Sequence, residues 1–169
     1  IEIFESGVTY STYLNTFKFA FLGWLFTVII GFTLAYFLAF HVRTLRWQII
    51  LFLICTIPFW TSNIIRMIAW IPVLGRNGLM NSLLLELGVI GEPLEWLLYS
   101  DFAVILAFVH LYTLFMLVPI FNSMMRIDKS IIEAAQDMGA NSLQILINVI
   151  VPLCLPGIAI GTIFVVSLI

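Results

Sequence analysis

Side chains able to do chemistry are scarce in this chain: two histidines, two cysteines and nine carboxylates among 169 residues, 63% of which are hydrophobic. The arrangements HExxH, CxxC and GxSxG are all absent, so neither a metal centre nor a covalent nucleophile has support. Cradling the phosphates of ATP takes a glycine-rich loop that ends in Gly-Lys-Ser/Thr. Neither Lys18 nor Lys129 follows a glycine. No metal site, no cofactor and no catalytic residue is therefore expected, and ATP hydrolysis by this chain is not. Cys55 and Cys154 both fall in apolar stretches, where a thiol packs as a small hydrophobe. His110 sits in another such stretch. A lone histidine there is expected to hydrogen-bond between helices rather than to relay protons.

Polar groups inside apolar runs carry more information, because a charge at the bilayer centre costs at least ~2.5–3.5 kcal/mol. Arg66 stands out, with Asn63 one turn before it and Asp101 at the edge of a later run. Two readings of Arg66 stand. It snorkels from the outer end of its helix, or it faces a pore and holds a gate with Asn63. Asp101 is read either as the acid that neutralises it or as a helix N-cap. Phe59, Trp60 and Trp70 offer ring faces to an ammonium group, and they also stand where interfacial aromatic belts occur. Trp60, Asn63, Arg66, Trp70 and Asp101 thus form the candidate translocation path.

The elements that must position these groups follow from hydropathy. Only 9% of residues are charged and the mean hydropathy is +1.16, whereas about a quarter of an ordinary soluble domain is charged. A globule of this size cannot hide so much apolar surface from water, so lipid must cover it. The net charge of -2 and the absence of any basic stripe give no support to nucleic-acid binding. Residues 19–40 carry no charge and are long enough to cross a bilayer. Further spans are expected at about 48–71, about 102–121, and from near Val149 to the last residue, each helical because lipid tolerates no unpaired backbone. Leu79 to Ile90 is too short to span and suits an interfacial or re-entrant helix. Gly157 and Gly161, four apart, allow close helix packing, and Pro58, Pro119, Pro152 and Pro156 bend or begin helices. The expected fold is all-α, a polytopic transmembrane bundle of about four spans. Arg43, Arg46, Arg126 and Lys129 share one side of that alternating path, and the positive-inside rule makes that side cytoplasmic.

The cytoplasmic link 124–148 has more structure than a connector needs. Ser130-Ile-Ile-Glu133 has the form of a capping box, which starts a helix. That helix would carry Ala134 and Ala135 and stop at Gly139, a residue able to take the left-handed conformation. Asn141 or Ser142 would then cap a second helix entering the membrane at Pro152. Two roles suit this helix-turn-helix: a surface for another protein, with small Ala134 and Ala135 admitting a close approach, or a helix lying on the bilayer.

At these positions the chain resembles the Glu-Ala-Ala loop of binding-protein-dependent ABC importer permeases of the type I, MetI-like kind. Their pattern is Glu-Ala-Ala, three residues, Gly, nine residues, then Ile-x-Leu-Pro. Here it stands as Glu133-Ala134-Ala135, Gly139 and Val149-x-Val151-Pro152, with the spacing kept and Val replacing both Ile and Leu. Residues 34–39, Pro58 to Ser62 with Arg66, Ala69 and Trp70, and Gly78 to Asn81 are similar to the spermidine/putrescine subgroup. The resemblance implies the type I permease fold, with 1–169 a single domain lacking terminal helices at both ends. It implies a permease subunit in a bacterial inner membrane that moves a polyamine, or another small solute such as an amino acid, thiamine or iron complex, by alternating access. Implied partners are a pair of cytoplasmic ATP-binding subunits, a second permease and an extracytoplasmic solute-binding protein. Ser130, Glu133, Ala134, Ala135, Gly139 and Pro152 would then form the ATPase-coupling loop. The rival classes are a membrane enzyme, which needs clustered catalytic groups, and a stand-alone channel, which needs rings of small or charged residues. Neither pattern is present.

Overall fold

In a computed structural model the described residues are 7–42 and 44–169. Arg43, one of the basic residues that orient the chain, lies outside them. The described chain is all-helical, as lipid-embedded backbone must be to satisfy its own polar groups.

Helix α1, Gly7–Tyr36, ends in a π-helical turn, Phe37–His41. Next come α2, Leu45–Thr56, with a 3₁₀ turn at Ile57–Trp60, then α3, Asn63–Ile68, α4, Ile71–Leu74, and α5, Leu79–Glu86. Helix α6 is Asp101–Met124 and α7 is Lys129–Asp137. Helix α8, Ser142–Ile145, runs through a π-helical turn at Leu146–Ile150 into α9, Val151–Leu168. Three stretches are long and apolar enough to cross a membrane: Thr9–His41, Asp101–Met124 and Ser142–Leu168. The chain is accordingly a multi-pass membrane protein.

Three expected spans differ in extent. The first, expected over 19–40, begins at Thr9. The second, about 48–71, is not one helix. It breaks between Trp60 and Asn63 and bends sharply there, so it counts as a span only if Leu45–Trp60 and Asn63–Glu86 are taken together. Pro58 has no N–H to offer, the backbone tightens to 3₁₀ around it, and Ser62 is extended at φ -57°, ψ 141°. The last span begins at Ser142 rather than near Val149, because the π-helical turn carries α8 into α9 without a break.

The chain forms two compact units. One contains the described residues up to Leu25, together with Ile57–Leu111 and Ile169; the other contains Phe26–Thr56 and Tyr112–Leu168. In the second unit α9 lies hard against α6. A Cβ at Gly157 would sit 2.5 Å from the Pro119 carbonyl oxygen, and one at Gly161 2.6 Å from Met116 Sδ. A Cβ at Gly31 of α1 would meet the same Met116, 3.0 Å from its Cγ. Met116 is wholly buried as a result. Where lipid removes the hydrophobic drive, such close backbone approach supplies the packing. Phe52 of α2 stacks on Phe121 of α6 at 5.0 Å.

In the first unit the organiser is Asn81, which is 0% exposed. Its Nδ2 donates to the carbonyls of Gly75 (3.0 Å) and Leu94 (3.1 Å), and its Oδ1 accepts the Leu94 N–H (2.9 Å). A single side chain thus bonds three part-buried backbone groups and ties α5 to the loop on either side of it. Helix α5 is as short as its sequence implies, eight residues.

Candidate functional site

The helical hairpin α7–α8 is shaped by three local devices. At its start the N-cap is Asp128, whose carboxylate accepts the Ser130 N–H at 3.0 Å. The expected Ser130–Glu133 capping box is not formed. A carboxylate two residues upstream is the stronger acceptor for the free N–H groups and aligns with the positive end of the helix, so Ser130 becomes a helical residue. Accepting that bond, from the Ser130 backbone first and its side chain second, holds the Asp128 carboxyl below its usual pKa.

At the turn Gly139 has φ +84°, a left-handed conformation that favours glycine. Gly139 N–H donates to Gln136 O at 2.8 Å, and Ala140 N–H donates to Ala135 O at 3.0 Å. The pair is a Schellman closure of α7. Asn141, not Ser142, then caps α8. Its Oδ1 accepts the Gln144 N–H at 2.9 Å, and Gln144 Oε1 accepts the Asn141 N–H at 2.8 Å. This reciprocal box lies in the sequence as Asn-x-x-Gln, a local signal with the same spacing as Ser130–Glu133.

The hairpin is amphipathic. Ala135 is buried and Ala134 exposed; Glu133 is exposed and in no ion pair among the described residues. Apolar side chains also reach solvent, with Met138 83% and Leu143 64% exposed. Pro152 is the second residue of α9, just after the π-helical turn. Ser130, Glu133, Ala134, Ala135 and Gly139 therefore belong to one projecting motif, and Pro152 to the helix that carries it. Beside the motif is a cavity of about 560 Å³, lined by Tyr36 and Phe40 at the end of α1, by Gln48, and by Lys129, Glu133 and Gln136 of α7. Gln48 shapes its wall: its Nε2 donates to the carbonyls of Val42 (2.9 Å) and Ala39 (3.3 Å) and pins the α1–α2 link.

The membrane polar groups are arranged differently from the expectation. Ser100, not Asp101, caps α6: its Oγ accepts the Ala103 N–H at 3.3 Å. Asp101 is the first helical residue and is ion-paired with Lys18, so it does not neutralise Arg66. Their separation of 83 residues hides that pair from any local pattern. Nor does Arg66 snorkel from the end of a long helix. It sits on α3, past the break, at 6% exposure, with Nη2 donating to Asn63 Oδ1 and Cζ 5.6 Å from the Phe59 ring centre. Trp70 is half-buried and meets the His110 ring edge-on at 5.6 Å, so His110 has an aromatic neighbour. Trp60 is exposed and belongs to no cluster. Of the five path candidates, Asn63 and Arg66 are in direct contact, while Asp101 is committed elsewhere.

The described residues thus combine three apolar helices long enough to cross a membrane with a capped Glu-Ala-Ala hairpin. In sequence the chain is similar to permease proteins of bacterial transport systems. It is 36% identical, over 90% of its length, to PotB, a permease protein of the spermidine/putrescine transport system of Escherichia coli K12, of which it covers 54%. The Haemophilus influenzae PotB is 34% identical over 71% of the chain and 42% of its own length. The inner membrane ABC transporter permease protein YdcU of Escherichia coli is 28% identical over 99% of the chain and 56% of its own length. The chain spans about half the length of the curated relatives it matches. No family model matches it.

Proposed function

We propose that this chain is the membrane-spanning part of a permease subunit in an ATP-driven importer of the bacterial inner membrane, and that its solute is a small polyamine. The observation that carries the proposal is the hairpin α7–α8. Asp128, the Schellman turn at Gly139 and the Asn141–Gln144 box fix its backbone, while Glu133, Met138 and Leu143 remain exposed on it. A rigid projection with exposed apolar and acidic groups suits a protein cleft better than a lipid surface, where basic residues would be favoured on the polar face. Arg46, Arg126 and Lys129 support a cytoplasmic position for it by the positive-inside rule.

In this proposal a separate ATP-binding subunit hydrolyses ATP and receives the hairpin. Its closure moves α7–α8 as a body, and the continuous helix from Ser142 to Leu168 passes the movement into the membrane. A second permease completes the path, and an extracytoplasmic binding protein selects the solute. The polyamine assignment is supported by the likeness to the PotB proteins, permeases of spermidine/putrescine transport systems. Uptake of radiolabelled spermidine and putrescine, measured in cells with and without the intact operon and with amino acids as competitors, tests it. Operon-dependent polyamine uptake is expected. Polyamine uptake that is equal in both, with loss of amino-acid uptake instead, removes the polyamine assignment and leaves the importer assignment.

A further inference from the structure

We propose that the cavity beside α7 binds the headgroup of a zwitterionic phospholipid that carries a primary ammonium, with Lys129 taking its phosphate and Glu133 its ammonium. At about 560 Å³ the cavity is of ligand size. Its level in the bundle favours a lipid. Tyr36 and Phe40 line it from the end of the apolar stretch Thr9–His41, and Ser142 and Ile145 line it from the start of the stretch Ser142–Leu168. Where membrane-spanning helices end, phospholipid headgroups stand beside the protein. Both π-helical turns contribute to the wall, Phe40 from Phe37–His41 and Ile150 from Leu146–Ile150. Such turns occur frequently at functional sites.

The charges select the class of headgroup. Lys129 and Glu133 stand four residues apart on α7 and both line the cavity, yet neither is in an ion pair among the described residues. One cation and one anion on the same helix face match one phosphate and one ammonium, each through a charge-assisted hydrogen bond. A headgroup with a phosphate alone would meet the Glu133 carboxylate uncompensated, and a trimethylated ammonium has no N–H to donate to it. Tyr36 and Phe40, their ring centres 5.3 Å apart, add aromatic surface suited to the same cation. Ile132, Ile145 and Ile150 give the glycerol and first acyl carbons an apolar wall. Lys129 and Glu133 are exposed, so a headgroup reaches them without displacing the chain. Met138 and Leu143, the exposed apolar residues of the hairpin, do not line the cavity, which leaves them to a protein partner while lipid is bound. The inference needs only a membrane-spanning chain, so it and the importer proposal fail separately.

The test uses the full-length protein, purified from membranes with the subunits that accompany it, depleted of lipid and titrated with short-chain phospholipids under native mass spectrometry. One phosphatidylethanolamine is expected to bind per copy of this subunit, about tenfold more tightly than phosphatidylglycerol or phosphatidylcholine, since neither offers Glu133 the charged hydrogen bond. Glu133→Gln should abolish that preference. Lys129→Gln should weaken phosphatidylethanolamine and phosphatidylglycerol by a similar factor. Ala39→Phe, which narrows the cavity, should remove the bound lipid; where it disturbs folding, the two charge variants carry the test. A preference that survives both charge changes, or either other lipid bound as tightly as phosphatidylethanolamine by the unaltered protein, overturns the proposal. Free phosphoethanolamine bound as tightly as the lipid assigns the cavity to a soluble zwitterion and overturns it as well.

Discussion

Between Asp128 and Gln144 the hydrogen bonds that close the turns reach no further than five residues along the chain. Between Gly75 and Leu94 the key bonds come from one buried amide, Asn81, and reach as far as thirteen residues. The hairpin is therefore ordered by backbone caps that need little tertiary support, and its side chains stay free to meet a partner. The segment from Gly75 to Leu94 is ordered around one buried amide. One region is built to present residues and the other to hold its own shape.

The comparison breaks most visibly at Asn81. Asn81→Ala would remove three hydrogen bonds and leave the Leu94 N–H without its acceptor, while Gly75 O keeps the Gly78 N–H, at about 1–3 kcal/mol for an unsatisfied group. Limited proteolysis of the purified subunit should then show new cleavage between Gly75 and Leu94, and thermal unfolding should begin earlier. Unchanged cleavage and melting would mean that the segment does not depend on this amide.

A smaller effect is expected at Gly139. Gly139→Val forces a β-branched residue to φ +84°, which costs of order 1–3 kcal/mol. A Cβ there meets nothing within 4 Å, so the penalty is conformational and local. Uptake by the complete importer should fall while the amount of subunit in the membrane stays the same. Gly139→Asn should recover part of it, since asparagine tolerates the left-handed region.

The smallest effect is the titration of Asp128. Its folded-state pKa lies below the ordinary carboxylate value because the ionised form accepts the Ser130 bonds. Its contribution is thus complete above the unfolded pKa of about 3.9 and is lost as pH falls through the lower folded pKa. Amide hydrogen exchange at Ser130, corrected for the intrinsic pH dependence of exchange, should lose protection in that acidic window. In Asp128→Asn, which caps without titrating, the loss should be absent.

The same division explains what was legible in the sequence. Gly139 as a helix stop, the Gly157–Gly161 contact and the existence of the long apolar helices depend on residue type and short spacing, and each could be read. Asp128 and the Asn141–Gln144 box were equally local. The Ser130–Glu133 pattern drew attention from them because it satisfies the same template two residues later. Lys18–Asp101, the triple role of Asn81 and the break at Thr61-Ser62 depend on which distant segments meet, or on how a proline-weakened helix relaxes. A spacing rule contains neither. Arg66 is the intermediate case. Its cost in a membrane was evident from its type, but its burial against Phe59 and Asn63 required the fold.

The account stands on the hairpin being seated in an ATP-binding subunit. The direct measurement is disulfide cross-linking in the assembled importer, with Cys55 and Cys154 replaced and Met138→Cys as the probe. Met138 is 83% exposed on the isolated chain. The account predicts a cross-link between Cys-substituted position 138 and a cysteine scanned through the cleft of the ATPase, with a yield that changes when nucleotide is added. Full labelling of that position by a soluble thiol reagent in the assembled complex, with no cross-link to the ATPase in any nucleotide state, would contradict it.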